Sequence, residues 1–411
     1  MKVFKFGGAS VKDANAVKNV GAIINRYKDE KLVVVISAMG KTTNALEGIV
    51  NAAYEGKDYK SQLQKLNTYH TDIIQDLNLQ LNIDYFIDLI ITNAEANRSM
   101  TMPQYYDQIV CIGELISTTI VSTYLNANGI DNTGLDARDI IKTDNTWREG
   151  VVNWQQTETF VLNKIPEILK TKHVITQGFI GRTPDNYSTT LGREGSDYTG
   201  AILAYLLQSE GLFIWKDVPG VLNADPKIFS DTANIPELTY YEAIEMTYYG
   251  ATVIHPKTIK PLQNKQIPLY VKSFIYPDLP GTVIHFDDAE IYYPPVLVVK
   301  KDQTLLSIRT TDFSFIAEKN LSHIYEILAK HNVKVNMIQT AALSCTISID
   351  TNPYKDQILE DDLAKQYNVT KNENLQLLTI RHYTNEVIEK LTAGKEIILT
   401  QKSRNTIQIL Y

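Results

Sequence analysis

Cysteine is almost absent from this chain: Cys111 and Cys345 are the only two in 411 residues, each inside an apolar segment. A disulfide framework is thereby excluded, and the pair reads as buried thiols of a reducing compartment. Excess positive charge is missing too. Lysine and arginine number 40 against 47 aspartates and glutamates, a net charge of −7. No long-range field draws the chain to nucleic acid or an anionic membrane, so an anionic ligand must be held by a local cluster of donors. No run of about twenty apolar residues is evident. Met1 to Gly8 lacks the apolar stretch and small-residue cleavage site of a secretory signal, and a cytoplasmic location is expected. The histidines at 70, 173, 255, 285, 323, 331 and 382 do not fall at transition-metal spacing with cysteines or carboxylates. No Ser-His-Asp arrangement is legible.

What is present is an ordinary globular composition, 44% apolar and 21% charged, over a length that favours two or three domains. The first part alternates strands and helices. Val3 to Phe6 reads as a strand, followed by a Gly-Gly turn and a helix with Val17, Val20, Ile24 and Tyr27 on one face. Leu32 to Ile36 is apolar at every position, as a strand covered on both sides is. His173 to Ile180, Leu212 to Trp215 and Leu269 to Phe274 fit the same α/β sheet, with Thr199 to Leu207 helical. Residues 57–100 read as a helical excursion placed to fold over a site.

The pattern changes at Tyr293-Pro294-Pro295, a linker that divides a domain at 1–293 from one at 294–411. Leu305 to Arg309, a helix with Leu321, Ile324 and Leu328, Val333 to Met337, alternating Leu343 to Ile349, and a helix at about Lys355 to Tyr367 give a β-α-β-β-α order. Leu375 to Ile380, Asn385 to Leu391, Ile397 to Thr400 and Thr406 to Leu410 repeat it in shortened form. Two ferredoxin-like modules are implied, one at about 302–370 and a shortened one at 371–411.

Two glycine turns carry the chemistry. Lys5-Phe6-Gly7-Gly8-Ala9-Ser10 lies between strand and helix, where glycines let backbone amides face a phosphate and Lys5 sets an ammonium beside it. It is not a Walker loop, since the lysine precedes the glycines. Alone, it is equally a structural turn with a surface lysine. The second turn, Thr189 to Thr199, offers Arg193 as a fork for a carboxylate, Ser196 as a helix-start donor and Asp197 to orient lysines or metal-bound water. Its plain alternative is a capping loop.

Together these turns resemble the paired signatures of aspartate kinases within the amino-acid kinase family. Ser37 to Asn44, Ile112-Gly113-Glu114, Thr176 to Gly181, Trp215 to Gly220, Asp225-Pro226 and Gly250 to Pro256 follow in the family's order over about the first 275 residues. The resemblance implies a central, mainly parallel sheet between helical layers, followed by two tandem ACT modules, one inserted within the other, so that 295–301 joins 371–411 and Pro295 to Val299 pair with the C-terminal strands. It implies that Lys5, Gly7, Gly8 and Ser10, with Lys216, Asp217, Leu222, Asp225 and Lys227, hold ATP. Asp197 organises the reacting groups. Ser37, Thr43, Glu114, Phe179, Arg193 and Ser196 line the aspartate pocket, with Glu114 on the substrate's ammonium. Phosphoryl transfer between two anions also calls for a cation, so Mg²⁺ on the nucleotide is expected without a protein metal cage.

Thr252 stands where the family carries a phosphate-binding lysine, leaving Lys216, Lys227 or Lys257 to supply that charge. Leu222 replaces a tyrosine, Lys227 an arginine and Glu194 a glycine. The ACT pair implies a homodimer and an amino-acid effector such as lysine or threonine. Residues 332–342 lack the aspartate, serine and glutamate common near the effector pocket, so a purely dimerising role stays open. Open too are another acceptor, such as glutamate or a nucleoside monophosphate, and a binding subunit without catalysis, which Thr252 favours.

Overall fold

The computed structural model describes residues 1–96, 100–251, 254–286, 291–312 and 314–411; Thr252 lies outside them. It divides into two compact units. One is Met1–Val221, Asn234–Ile244 and Ile254–Ala289; the other is Leu222–Ala233, Glu245–Val253 and Glu290–Tyr411. Two segments that precede the paired prolines thus group with the C-terminal part of the chain. Asn223 shows why: its carbonyl accepts from Leu297 N at 2.7 Å and its Nδ2 donates to the Pro295 carbonyl at 3.0 Å.

The first unit starts with β1 (Lys2–Phe6), α1 (Ala14–Asn25), β2 (Leu32–Ile36), α2 (Thr42–Tyr54), α3 (Lys60–Asp76), α4 (Asp84–Ala96) and α5 (Met102–Ala127). It continues through β3 (Asn132–Leu135), α6 (Trp154–Ile168), β4 (His173–Gln177), β5 (Ile180–Arg182), β6 (Ser188–Thr190), α7 (Gly195–Leu206) and β7 (Leu212–Lys216). After the short strands β8 (Val221–Leu222), β9 (Asn234–Ile235) and β10 (Glu237–Thr239) come α8 (Tyr240–Tyr249), α9 (Pro256–Asn264), β11 (Leu269–Ser273) and β12 (Thr282–His285), with Leu222 of β8 and Glu245–Tyr249 of α8 belonging to the second unit.

Eight of these strands form one sheet in the order β10-β12-β11-β7-β1-β2-β4-β3. All neighbours are parallel except β11 and β12. Every residue of β2 and β4 is buried; β2 is apolar throughout, as a strand covered on both faces is, and β4 carries its polar residues at His173, Thr176 and Gln177. Phe6 is level with both Ile36 and Trp215, and Ile36 with Gln177. The turns after β1, β2, β4 and β7 therefore emerge at one edge of the sheet, the carboxyl edge where α/β folds bind ligands.

Two sequence expectations change here. The strand expected over His173 to Ile180 stops at Gln177, because Phe179 adopts φ 72° and Ile180 N closes a tight turn onto the Gly178 carbonyl at 2.9 Å. Secondly, α5 runs for 26 residues and is apolar enough to cross a membrane, yet 72% of its most apolar window is buried inside the protein, as in a core helix.

The second unit contains β13 (Val296–Thr310), α10 (Glu318–Lys330), β14 (Val335–Thr340), β15 (Ser344–Asp350), α11 (Pro353–Leu363), β16 (Tyr367–Arg381), α12 (Asn385–Thr392), β17 (Leu399–Lys402) and β18 (Thr406–Leu410). They form one antiparallel sheet, β14-β15-β13-β16-β18-β17. The strands β13 and β16, 15 residues each, run through both modules. Their register slips between Lys300 and Leu305, where Leu305, Met337, Leu375, Leu377 and Leu410 form a small cluster distinct from two others. Leu306, Ile308, Ile324, Leu328, Ile347 and Leu359 pack in one of these; Leu378, Ile380, Ile407 and Ile409 pack with Val387 and Leu391 of α12 in the other. Tyr367, expected to end a helix, instead opens β16 and meets His323 Nδ1 through its hydroxyl at 3.2 Å.

Candidate active site

The turn after β1 is built by close backbone approach. A Cβ on Gly8 would stand 2.7 Å from the Ala38 carbonyl oxygen and 2.9 Å from that of Gly40. Only glycine lets Gly40 N donate to the Gly8 carbonyl at 3.0 Å. Ser10 is buried; its amide donates to the Gly7 carbonyl at 2.9 Å and its hydroxyl reaches the Trp215 carbonyl at 3.4 Å, joining a third strand end. From β1 itself, Lys5 Nζ pairs with Asp197 Oδ1 at 2.6 Å, with the two side chains only 11% and 4% exposed. Asp197 sits in the first turn of α7, where helix amides favour negative charge.

These turns enclose an open cavity of about 680 Å³. Of the residues singled out from sequence, Lys5, Gly7, Gly8, Ser10, Ser37, Thr43, Glu114, Phe179, Arg193, Ser196, Asp197, Lys216 and Asp217 all line it. Leu222, Asp225 and Lys227 do not. They belong to the second unit, where Asp225 works as a turn former, accepting from Lys227 N through Oδ1 at 2.9 Å and from Phe229 N through its carbonyl at 2.9 Å. Of the three lysines that stood as replacements for the cation absent at Thr252, Lys216 lines the cavity, and Lys227 and Lys257 do not.

The packing of the second turn is as tight as that of the first. Gly178 faces Ser196, whose Cβ would be 2.5 Å from an added methyl group, and Gly195 faces the Phe179 ring at 2.7 Å. Glu194 holds φ 53°, in a region that favours glycine. Here its Oε2 accepts from His255 N at 3.0 Å, at the start of α9.

Sequence reasoning missed Tyr106, Arg148, Glu149 and Thr190, all on the cavity wall, and Asp107 behind it. Asp107 is fully buried and accepts from Arg148 N at 2.9 Å, Thr190 N at 3.1 Å and Thr190 Oγ1 at 2.8 Å. Burial pushes its carboxyl up to about 6 against the pull of those donors. No motif marks these residues; a lone carboxylate two residues ahead of the apolar run Ile109 to Ile112 was the available signal.

Glu114 is the other perturbed carboxyl. It is 2% exposed on α5, and burial pushes it up to about 8, while the Ala38 amide and the Lys5 ammonium pull the other way. Its Oε2 has no hydrogen-bond partner among the described residues. A buried acid with an unmet acceptor, on the wall of a cavity, is matched to a cationic ligand group. Four cationic side chains line the space (Lys5, Arg148, Arg193, Lys216) against five acidic ones (Glu114, Glu149, Glu194, Asp197, Asp217). The cavity can therefore hold a zwitterion beside a polyanion, given an added cation.

Comparison with known proteins decides the family. The model of the amino acid kinase family matches residues 1–273. The chain belongs to the amino acid kinase family. Within that family it is similar to the lysine-sensitive aspartokinase 3 of Escherichia coli, 30% identical over all of this chain and 92% of that protein. It is also similar to aspartokinase 1, chloroplastic, of Arabidopsis thaliana, 30% identical over 85% of this chain and 63% of that one. The crystal structure of E. coli aspartokinase III in complex with aspartate and ADP matches this amino acid kinase with a TM-score of 0.83 at 27% identity, covering 100% of this chain and 96% of the other. The same enzyme in complex with lysine and aspartate matches at 0.82 over the same extent.

Proposed function

We propose that this amino acid kinase is an aspartate kinase, converting ATP and L-aspartate to ADP and 4-phospho-L-aspartate, the first step towards lysine, threonine and methionine. The observation that carries the reading is one cavity joining a phosphate-type turn, the Lys5–Asp197 pair at 2.6 Å, the exposed guanidinium of Arg193 and the buried acid Glu114. An aspartate side-chain oxygen attacks the γ-phosphorus, the bond to the β-phosphate oxygen breaks, and ADP leaves with the electron pair. Lys5 offsets charge on the transferring oxygens, and Asp197 fixes its ammonium in place. Gly7, Gly8 and Ser10 bring backbone donors to the phosphates, with Lys216 and Asp217 at their edge. Arg193 grips the α-carboxylate, Glu114 receives the ammonium, and Ser37, Thr43, Phe179 and Ser196 complete the acceptor pocket.

Among the described residues no three His, Cys, Asp or Glu side chains converge as a metal cage. Mg²⁺ carried in by the nucleotide would need few protein ligands, and Asp217, exposed on the cavity wall, is the carboxylate that would orient its water. When bound it neutralises phosphate charge. The ferredoxin-like modules would bind an amino-acid effector, lysine or threonine, in a cytoplasmic homodimer; the two cysteines, both free and buried, suit that compartment.

ADP release measured with aspartate, glutamate and a nucleoside monophosphate tests the acceptor, and comparable turnover on glutamate would remove the assignment. Repeating it with lysine, threonine or both tests the effector. Lys5→Ala should lower kcat by about 10² to 10³ with an unchanged circular dichroism spectrum; full activity would remove the role given to Lys5.

A further inference from the structure

Arg148 is held in a strained conformation at the cavity, and its surroundings explain what the strain achieves. Its φ of 65° lies in the left-handed region that disfavours a long side chain. Asp107 sustains it by accepting the Arg148 amide at 2.9 Å, and the same carboxylate accepts the Thr190 amide and hydroxyl at 3.1 and 2.8 Å. One buried group thus fastens the Arg148 loop to the strand end that leads into Arg193. The two arginine loops also touch directly: Gly192, with φ 75°, has so little room that an added Cβ would lie 3.2 Å from the Arg148 carbonyl.

The guanidinium is aimed by two further groups. Its central carbon lies 3.9 Å from the centroid of Tyr106, a cation–π contact, and Nη2 pairs with Glu47 Oε1 at 3.0 Å. Glu47 stands one helical turn beyond Thr43 on α2, on the face that Thr43 presents to the cavity. The Arg148 and Glu47 side chains are 45% and 42% exposed. Solvent-exposed pairs of this kind contribute little, so a ligand carboxylate can take Glu47's place without a large loss. Tyr106 keeps the fork oriented during the exchange.

Building on the aspartate kinase reading, we propose that Arg148 is a second acceptor-binding residue: paired with Glu47 when the site is empty, it turns to a carboxylate of the dicarboxylic substrate when the site is filled. Arg193 and Arg148 then hold the acid at two points, and the spacing of those points selects chain length. The Arg148→Ala variant should raise KM for aspartate at least tenfold, with KM for ATP changed less than twofold. Arg148→Lys should recover part of the loss. Arg148→Met, which keeps the packing on Tyr106 without charge, should behave like alanine. Glu47→Gln, which weakens the competing pair, should lower KM for aspartate. Parallel changes in both KM values, an unmoved aspartate KM, or full recovery by methionine would overturn the proposal. Calorimetric titration of the wild type with L-aspartate separates the two levels. Absence of both binding and turnover sinks the aspartate reading and this inference with it, whereas normal binding by wild type and Arg148→Ala alike sinks the inference alone.

Discussion

At the scale of single residues, Glu114 sets a proton balance that binding must disturb. Its carboxyl, pushed up to about 8 by burial, is protonated at neutral pH when the cavity is empty. A substrate ammonium favours the ionised form, so binding draws the pKa down and expels a proton. The sign follows directly. At about pH 7 aspartate binding should release close to one proton, falling towards half a proton near pH 8, and its affinity should improve as pH rises, levelling off above about 8, where the group is already ionised. Titration calorimetry in two buffers of different ionisation enthalpy counts the protons. Glu114→Gln should abolish the release and weaken aspartate binding by at least tenfold, the scale of a charge-assisted contact. Proton uptake, or release that survives in the glutamine variant, would remove the ammonium-binding role.

At the scale of elements, the site is a set of strand ends held at one level by the parallel register, and their spacing depends on absent side chains. Gly8→Ala forces a methyl group into the Ala38 and Gly40 carbonyls, at 2.7 and 2.9 Å. Those are backbone atoms with nowhere to rotate, so the 37–40 turn must shift. A shift near 1 Å at a phosphate cradle lowers kcat/KM for ATP by about 10², with about 1–3 kcal/mol of lost stability. Paired kinetics and thermal unfolding check both, and an alanine variant with wild-type kinetics would contradict the close approach. These glycine turns, the doubly buried β2 and the core strand ends were legible because local chemistry alone dictates them. The Asp107 bridge was not. Its partners lie 41 and 83 residues away in sequence, and nothing in a single isolated carboxylate says which amides the fold will bring to it. The break at Phe179 was hidden for a related reason: the φ of 72° serves the packing of Gly195 on its ring, a demand from another element. In the second unit the order of elements could be read, but not the 15-residue length of β13 and β16, since polar residues such as Lys300 to Gln303 in one strand read as a loop until both modules share the sheet.

At the scale of the whole molecule, the two units are interleaved in sequence, and this governs how the chain can be cut. A break at 293, natural from the paired prolines, would leave residues 222–233 and 245–253 without the rest of the unit they fold with. Asn223 would lose its bonds to Pro295 and Leu297. Glu245 would lose Arg381, whose Nη1 donates to it at 2.7 Å from a side chain 5% exposed. Met246, now fully buried, would face solvent, and Tyr249 would lose the Arg381 guanidinium over its ring. Apolar surface of that kind exposed beside a lost ion pair favours association over folding. The fragment 1–293 should therefore be less stable than the full chain and should sediment as aggregates. The milder Arg381→Met in the full chain takes the guanidinium away from Glu245, whose side chain is 28% exposed, and from Thr406 Oγ1, and should cost about 1–3 kcal/mol in denaturant unfolding of the second unit. A monodisperse fragment with the melting temperature of the full chain would show that the 222–233 and 245–253 segments hold their shape without the C-terminal sheet.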